Sequence, residues 1–223
     1  LPAGTYTLEA TATAADGSVG ASAPITVTVK SGGEVGSTGS QTIDLQPGWN
    51  LISSRFAPDE TAIDQLMSDV SGSVQIVEDE VEDDYVYKPE EGVNTLGHWN
   101  PLEGFMVYSD AEEQLTISGQ ALRPAWTPLA LEPGWNLVPY LPSTTLPIAE
   151  AFQSISDELV LVKDAAGNAY VPQYGVDEIG ALQPGQGYKV FVSDPATLTY
   201  PASKSLSVQQ AAQTDPVSSA RQE

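Results

Sequence analysis

The chain has 223 residues, 41% of them apolar, and sets 30 Asp plus Glu against 8 Lys plus Arg for a formal net charge of -22. A surface of that sign repels phosphate backbones and anionic lipid, which excludes nucleic-acid partners, and no apolar run approaches the ~18 residues of a membrane span. No cysteine is present and His98 is the only histidine, so disulfides, thiolate metal sites, a cysteine nucleophile and a multi-histidine zinc site are excluded as well.

Stability must therefore come from packing, which is compatible with export. The first residue is Leu1, with no Met and no charged-then-apolar leader. The expectation is a processed chain or a part of a longer one.

Residues 1–29 read as a β-hairpin. Tyr6, Leu8, Ala10 and Ala12 alternate with Thr5, Thr7, Glu9 and Thr11; Asp16-Gly17 supplies a turn; Ile25, Val27 and Val29 alternate with Thr26 and Thr28. Ala3-Gly4-Thr5-Tyr6-Thr7-Leu8 with Ser22-Ala23-Pro24-Ile25-Thr26-Val27-Thr28-Val29 resembles the last two strands of bacterial immunoglobulin-like domains. The resemblance implies a β-sandwich, with Tyr6 as the tyrosine near the start of the penultimate strand. A lone hairpin is marginal in water, so its apolar face needs a partner: upstream chain, another subunit or the rest of this chain. Residues 30–42 are Gly/Ser-rich and read as a linker.

The chain then says one thing twice. Leu45-Gln46-Pro47-Gly48-Trp49-Asn50-Leu51-Ile52 returns as Leu131-Glu132-Pro133-Gly134-Trp135-Asn136-Leu137-Val138, offset by 86 residues. Leu96-Gly97, Pro101 and Gly104-Phe105 return as Ile179-Gly180, Pro184 and Gly187-Tyr188, offset by 83. Residues 43–122 and 123–201 are thus two copies of one module.

Each copy reads as a Pro-Gly turn, a Trp-Asn-Leu strand, a short helix and further strands. Ala62, Ile63, Leu66 and Met67 have helical spacing in the first copy, and Ile148, Ala151, Phe152 and Ile155 in the second. Asp59 and Thr61, or Ser143 and Thr144, are the expected caps. The strands Val74–Val77, Tyr85–Tyr87, Phe105–Tyr108 and Leu115–Ile117 have counterparts at Leu159–Val162, Ala169–Val171, Tyr188–Phe191 and Leu198–Tyr200. The expected class is mainly β (α+β modules): an immunoglobulin-like hairpin, then two β-sheet modules each carrying one short helix. Residues 202–223 read as a tail or linker, in which Leu206 and Val208 offer a strand able to dock on an open edge.

The two Pro-Gly-Trp-Asn-Leu copies are similar to tandem repeats near the C-termini of large exported proteins of Gram-negative bacteria. That resemblance spans about residues 43–201 and implies architecture and a surface or secreted location, not an activity.

Few residues could carry chemistry. Trp49 and Trp135 are either structural or a stacking platform for sugar; Asn50 and Asn136 are expected to bond nearby backbone. His98 lies in a loop without a Gly-x-Ser-x-Gly elbow, which argues against a catalytic triad. The run Glu78-Asp79-Glu80-Val81-Glu82-Asp83-Asp84 is either a solvated hairpin tip or a weak cation site, with Glu80, Glu82, Asp83 and Asp84 as ligands and Ca²⁺ as the ion. It lacks the order of a known calcium loop. Carboxylates crowded on one loop do not form the opposed pair of a glycosidase. Of the aromatics Tyr85, Tyr87, Trp99, Tyr170 and Tyr174, the pair Tyr87 and Tyr170 matches across copies and points to packing. The ligand-surface candidates are Trp99 with its neighbour His98, Tyr85 and Tyr174; for Trp99 the competing reading is an apolar anchor under the loop.

Two functions fit: a non-enzymatic structural or adhesive protein of a bacterial surface, partnered by other subunits or upstream domains, or an accessory region of a secreted hydrolase that binds polysaccharide.

Overall fold

The computed structural model describes the strands β1 Gly4–Leu8, β2 Thr11–Thr13, β3 Val19–Ala21 and β4 Ile25–Val29, then residues 37–79 and 85–202. The expected Asp16-Gly17 turn, the acidic residues 80–84 and the tail from 203 onward lie outside the described residues. The protein is mainly β. Strand β1 pairs antiparallel with β4, Gly4 opposite Val29, and β2 pairs with β3. Among the described residues no helix is long and apolar enough to cross a membrane.

The first module comprises β5 Thr38–Leu45, β6 Gly48–Ile52, β7 Phe56–Pro58, α1 Ile63–Leu66, β8 Val74–Glu78, β9 Val86–Lys88, β10 Val93–Asn94, β11 Phe105–Ser109 and β12 Glu113–Ala121. The second comprises β13 Leu129–Leu131, β14 Gly134–Pro139, β15 Leu146–Pro147, α2 Ile148–Ala151, β16 Leu159–Lys163, β17 Ala169–Val171, β18 Val176–Asp177, β19 Ala181–Leu182, β20 Gly187–Val192 and β21 Ala196–Leu198. Each has a five-stranded antiparallel sheet. The orders β10-β9-β8-β11-β6 and β18-β17-β16-β20-β14 are the same topology read copy against copy.

Local chemistry repeats with the topology. Gly48 and Gly134 hold φ of 100° and 104°, a conformation glycine adopts without steric cost. The Asn two residues on closes the turn. Asn50 accepts from the Gln46 N–H at 2.9 Å and donates to the Gln46 carbonyl at 2.8 Å; Asn136 does the same with Glu132 at 3.0 and 2.8 Å. One amide side chain thereby takes the place of a strand partner, satisfying a donor and an acceptor together.

Each module packs its own core. Ile43, Leu45, Ile63, Met67, Val77, Trp99, Phe105 and Ile117 fill the first; Tyr140, Ile148, Phe152, Leu182, Tyr188, Val190 and Tyr200 the second. The single helical turns lie under the sheets at Ile63 and Ile148, and each runs on into a 3₁₀ turn.

Two expectations change. The linker drawn over residues 30–42 overlaps β5, which begins at Thr38 and pairs with β12 in register, Thr42 opposite Thr116 and Ser40 opposite Ser118. Its residues are polar because one face of this ribbon is wet: Thr38, Ser40, Thr42 and Asp44 are all exposed. The helix caps also differ. Ala62 and Pro147 occupy the cap positions and make no side-chain cap bond. Instead the N–H groups of Ile63 and Ile148 donate to the carbonyls of Gly97 and Gly180, both at 3.0 Å, so a loop backbone does what Asp59, Thr61, Ser143 or Thr144 were expected to do.

Candidate functional site: the cleft between the modules

The strand Gly48–Ile52 carries apolar residues of both parities, Trp49 and Leu51 on one face and Ile52 on the other. In an antiparallel strand that means both faces are covered. Ile52 joins its module's core. Leu51 and Leu137, each 5% exposed, belong to neither core. They are buried at the junction of the modules. A Cβ on Gly104 would stand 3.1 Å from Leu137 Cγ, and Leu51 lines a cleft with Ala165 and Ala166 of the second copy.

The contacts across the junction are reciprocal. Gly104 of the first module abuts the Val138 carbonyl; its counterpart Gly187 abuts the Ile52 carbonyl, the counterpart of Val138. A Cβ at Gly187 would lie 2.9 Å from that oxygen, so Gly187 permits a close backbone approach, whereas at Gly104 the tight neighbour is the Leu137 side chain. This is an isologous interface within a single chain. One of its hydrogen bonds has no counterpart. Gly104 N–H donates to the Leu137 carbonyl at 3.0 Å, and Ser53 N–H to the Gly185 carbonyl at 3.0 Å. The residue equivalent to Ser53 is Pro139, which has no N–H to give.

Beside this junction the structure opens. A cleft of about 430 Å³ runs along the edge of β6, between Thr42–Asp44 and the Pro184–Gln186 loop, to which β6 bridges at Ile52. A second, of about 260 Å³, crosses the outer face and is lined by Trp49, Leu51 and Met106 from one module and Lys163, Asp164 and Lys189 from the other. Trp49 and Leu51 belong to both. Trp49 is 47% exposed, with Tyr108 directly opposite in register and edge-on to it at 5.4 Å. Trp135 repeats this against Phe191, at 47% exposure and 5.3 Å. The Lys163 ammonium lies 5.8 Å from the Trp135 ring centroid, within cation–π range.

The candidates drawn from the sequence fall elsewhere. Trp99 is 2% exposed and stacks on Phe105 at 4.1 Å, so it is not part of a ligand-facing surface. It plugs the core where Leu182 does in the second copy. Its indole N–H is buried without a hydrogen-bond partner. His98 is exposed, with Nδ1 3.3 Å from Thr61 Oγ1. Its backbone bridges Ala62 as Ala181 bridges Pro147, a scaffold role that the second copy fills without a histidine. Tyr85 and Tyr174 are exposed, at 45% and 77%, on different modules. The four acidic residues named as a cation site, Glu80, Glu82, Asp83 and Asp84, lie outside the described residues. Among the described residues no group of three or more His, Asp or Glu side chains is placed to hold a metal.

Buried tyrosines dominate the second core without offering chemistry. Burial pushes Tyr188 up to about 12 and raises Tyr140 and Tyr200 further, so all three remain neutral phenols near pH 7. Their hydroxyls are engaged: Tyr140 donates to the Thr144 carbonyl and Tyr200 to the Pro139 carbonyl. In the first module burial raises the Glu103 carboxyl, the Asn100 hydrogen bond opposes this and Asp79 adds to it.

No family model matches this chain, and neither a curated protein nor a solved structure is significantly similar to it.

Proposed function

We propose that this chain is a non-enzymatic, extracellular structural or adhesive part of a bacterial surface protein, acting by shape and surface within a larger chain or assembly. The observation that carries this reading is the reciprocal junction. Two copies of a small module, each too short for a large core, are locked by Ser53, Gly104, Leu51, Leu137 and Gly187 into one body. A duplicated, internally braced unit suits spacing and display. The outer strands β10 and β18 have two residues each, which protects those sheet edges from pairing. The eight-residue edge strand β5 is the longer surface available for subunit contacts. The net charge of -22 keeps such a body soluble.

The test is protease shaving of intact cells of the organism that encodes the chain, followed by detection of peptides from residues 37–202. Release of these peptides supports the reading. Recovery of the chain only from lysed cells, or turnover of glycoside, ester or peptide substrates by the purified chain, would overturn it.

A second reading, an accessory polysaccharide-binding region of a secreted hydrolase, is favoured by Trp49 and Trp135. Two half-exposed indoles held edge-on by cross-strand aromatics are rigid platforms of the kind sugar rings stack on. Affinity electrophoresis through a panel of neutral and acidic polysaccharides tests it, and unretarded migration in every gel would exclude it.

A further inference from the structure

We infer that the cleft of about 430 Å³ beside the junction binds an uncharged saccharide, with Trp49 as the stacking wall and Asp44 and Gln186 as the groups that meet sugar hydroxyls. The inference rests on the polysaccharide reading and narrows its ligand class.

The cleft has the size of a small-ligand site, for which about 300–1,000 Å³ is usual. A sugar ring carries C–H groups on its faces and hydroxyls around its rim, so it needs a flat apolar surface with polar groups beside it. The half-exposed Trp49 indole, held edge-on by Tyr108, supplies the flat surface, and Ile43 and Ile52 add apolar lining. Asp44 and Gln186 are exposed, line the same cleft and come from different modules.

Each of these two side chains has one atom fixed within the protein. Gln114 Nε2 donates to Asp44 Oδ1 at 2.8 Å, so Oδ2 remains as an acceptor. The Tyr188 hydroxyl accepts from the Gln183 N–H at 2.8 Å and therefore gives its own proton to Gln186 Oε1, at 3.0 Å. That orients the Gln186 amide and leaves its NH₂ group as the donor. Sugar hydroxyls both donate and accept, so a carboxylate oxygen from one module and an amide N–H from the other complement them.

The module itself does not demand this set. At the repeat offsets the counterpart of Asp44 is Ala130 and that of Gln186 is Glu103. The second copy keeps the indole, as Trp135, but not the polar pair, and the Lys163 ammonium already lies 5.8 Å from the Trp135 ring centroid. Charge sets the ligand class. Among the described residues that line the cleft, Asp44 is the one charged side chain, and no Lys, Arg or His joins it. An acidic sugar would meet a carboxylate there without a cation to offset it, on a chain of net charge -22.

The experiment is affinity electrophoresis of the full chain at 0.15 M salt through three neutral polymers, hydroxyethylcellulose, galactomannan and dextran, and through polygalacturonate. It is repeated for Trp49→Ala, Asp44→Ala and Trp135→Ala. All three side chains are exposed, and far-ultraviolet circular dichroism confirms that the variants fold. The expected result is retardation by at least one neutral polymer and not by polygalacturonate. Binding should weaken tenfold or more in Trp49→Ala and Asp44→Ala and less than twofold in Trp135→Ala. Retardation by polygalacturonate, alone or beside the neutral polymers, would overturn the inference and leave the polysaccharide reading standing. Equal losses in Trp49→Ala and Trp135→Ala, or none in Asp44→Ala, would place the ligand elsewhere and overturn the inference. No retardation in any gel would remove both.

Discussion

The Ser53 hydroxyl accepts a hydrogen bond from the Tyr140 backbone N–H at 3.0 Å and donates one to the Gln186 carbonyl at 2.6 Å. One fully buried side chain of the first module thus satisfies a donor and an acceptor of the second. Ser53→Ala strands the buried Tyr140 N–H. The expected cost is about 1–3 kcal/mol, read as a lower urea midpoint of the full chain. A midpoint unchanged from the wild type would mean that the bond contributes nothing to holding the modules together.

Gly119 is a steric requirement of β12. A Cβ there would collide with the Ala57 carbonyl of β7, against which Gly119 pairs through Pro58. Gly119→Ala must displace β7, and Phe56 with it, from the core. A loss of about 1–3 kcal/mol is expected by chemical denaturation. Gly72 has open space around its Cβ position, so Gly72→Ala is the control, expected within about 0.5 kcal/mol of wild type.

Asn50 and Asn136 make equivalent turns, so their loss should be felt alike. Asn50→Ala and Asn136→Ala each leave the N–H and carbonyl of residue 46 or 132 without their side-chain partner. Because these groups are exposed and water can replace the amide, each change should cost about 1 kcal/mol. Asn50 also donates to the Val107 carbonyl on β11 at 3.3 Å, so its variant should be the weaker of the two.

Much of this architecture is legible in the sequence because its signals are local. The duplicated Pro-Gly-Trp-Asn-Leu blocks mark the repeat, the alternation around Phe105 and Tyr188 marks strands, and the amide after Trp marks a closed turn. What escapes is tertiary. Thr38–Thr42 reads as linker because a wet strand face and a linker share the same Gly, Ser and Thr residues; only the pairing with β12 separates them. Trp99 leaves two readings open in the sequence, a ligand surface among polar loop neighbours or an apolar anchor matching Leu182, and only its burial against Phe105 decides for the anchor. The cleft escapes for a related reason. Trp49 reads as structural or stacking from its own strand, while the residues that complete the cleft arrive from the second module. Consecutive Leu51 and Ile52, apolar on both faces of one strand, were the available sign that a second surface covers this strand.

Glu103 adjoins the Gly104 contact, and its pH response can be signed. Burial raises its pKa above the ordinary 4.5, with Asp79 adding and the Asn100 hydrogen bond opposing. The protonated form is therefore favoured in the folded state. Its contribution to stability is fully present below the unfolded value near 4.5 and is lost as pH rises through the higher folded value. Glu103→Gln keeps an oxygen for the Asn100 amide, 2.6 Å away in the wild type, and removes the charge. The variant should be more stable than wild type at pH 7, with the difference vanishing below pH 4.5 in paired thermal melts. A variant that is less stable at pH 7 would contradict this sign.

If the reciprocal junction makes one body of the two modules, they unfold together. Labelling the full chain with 5-fluorotryptophan and following the Trp49 and Trp135 ¹⁹F resonances through a urea titration, for wild type and Ser53→Ala, reads this out. Coincident transitions at the two indoles, moving together to lower urea in the variant, are the predicted result. Separate midpoints for Trp49 and Trp135, with neither displaced by loss of the Ser53 hydroxyl, would show two modules that fold and function independently.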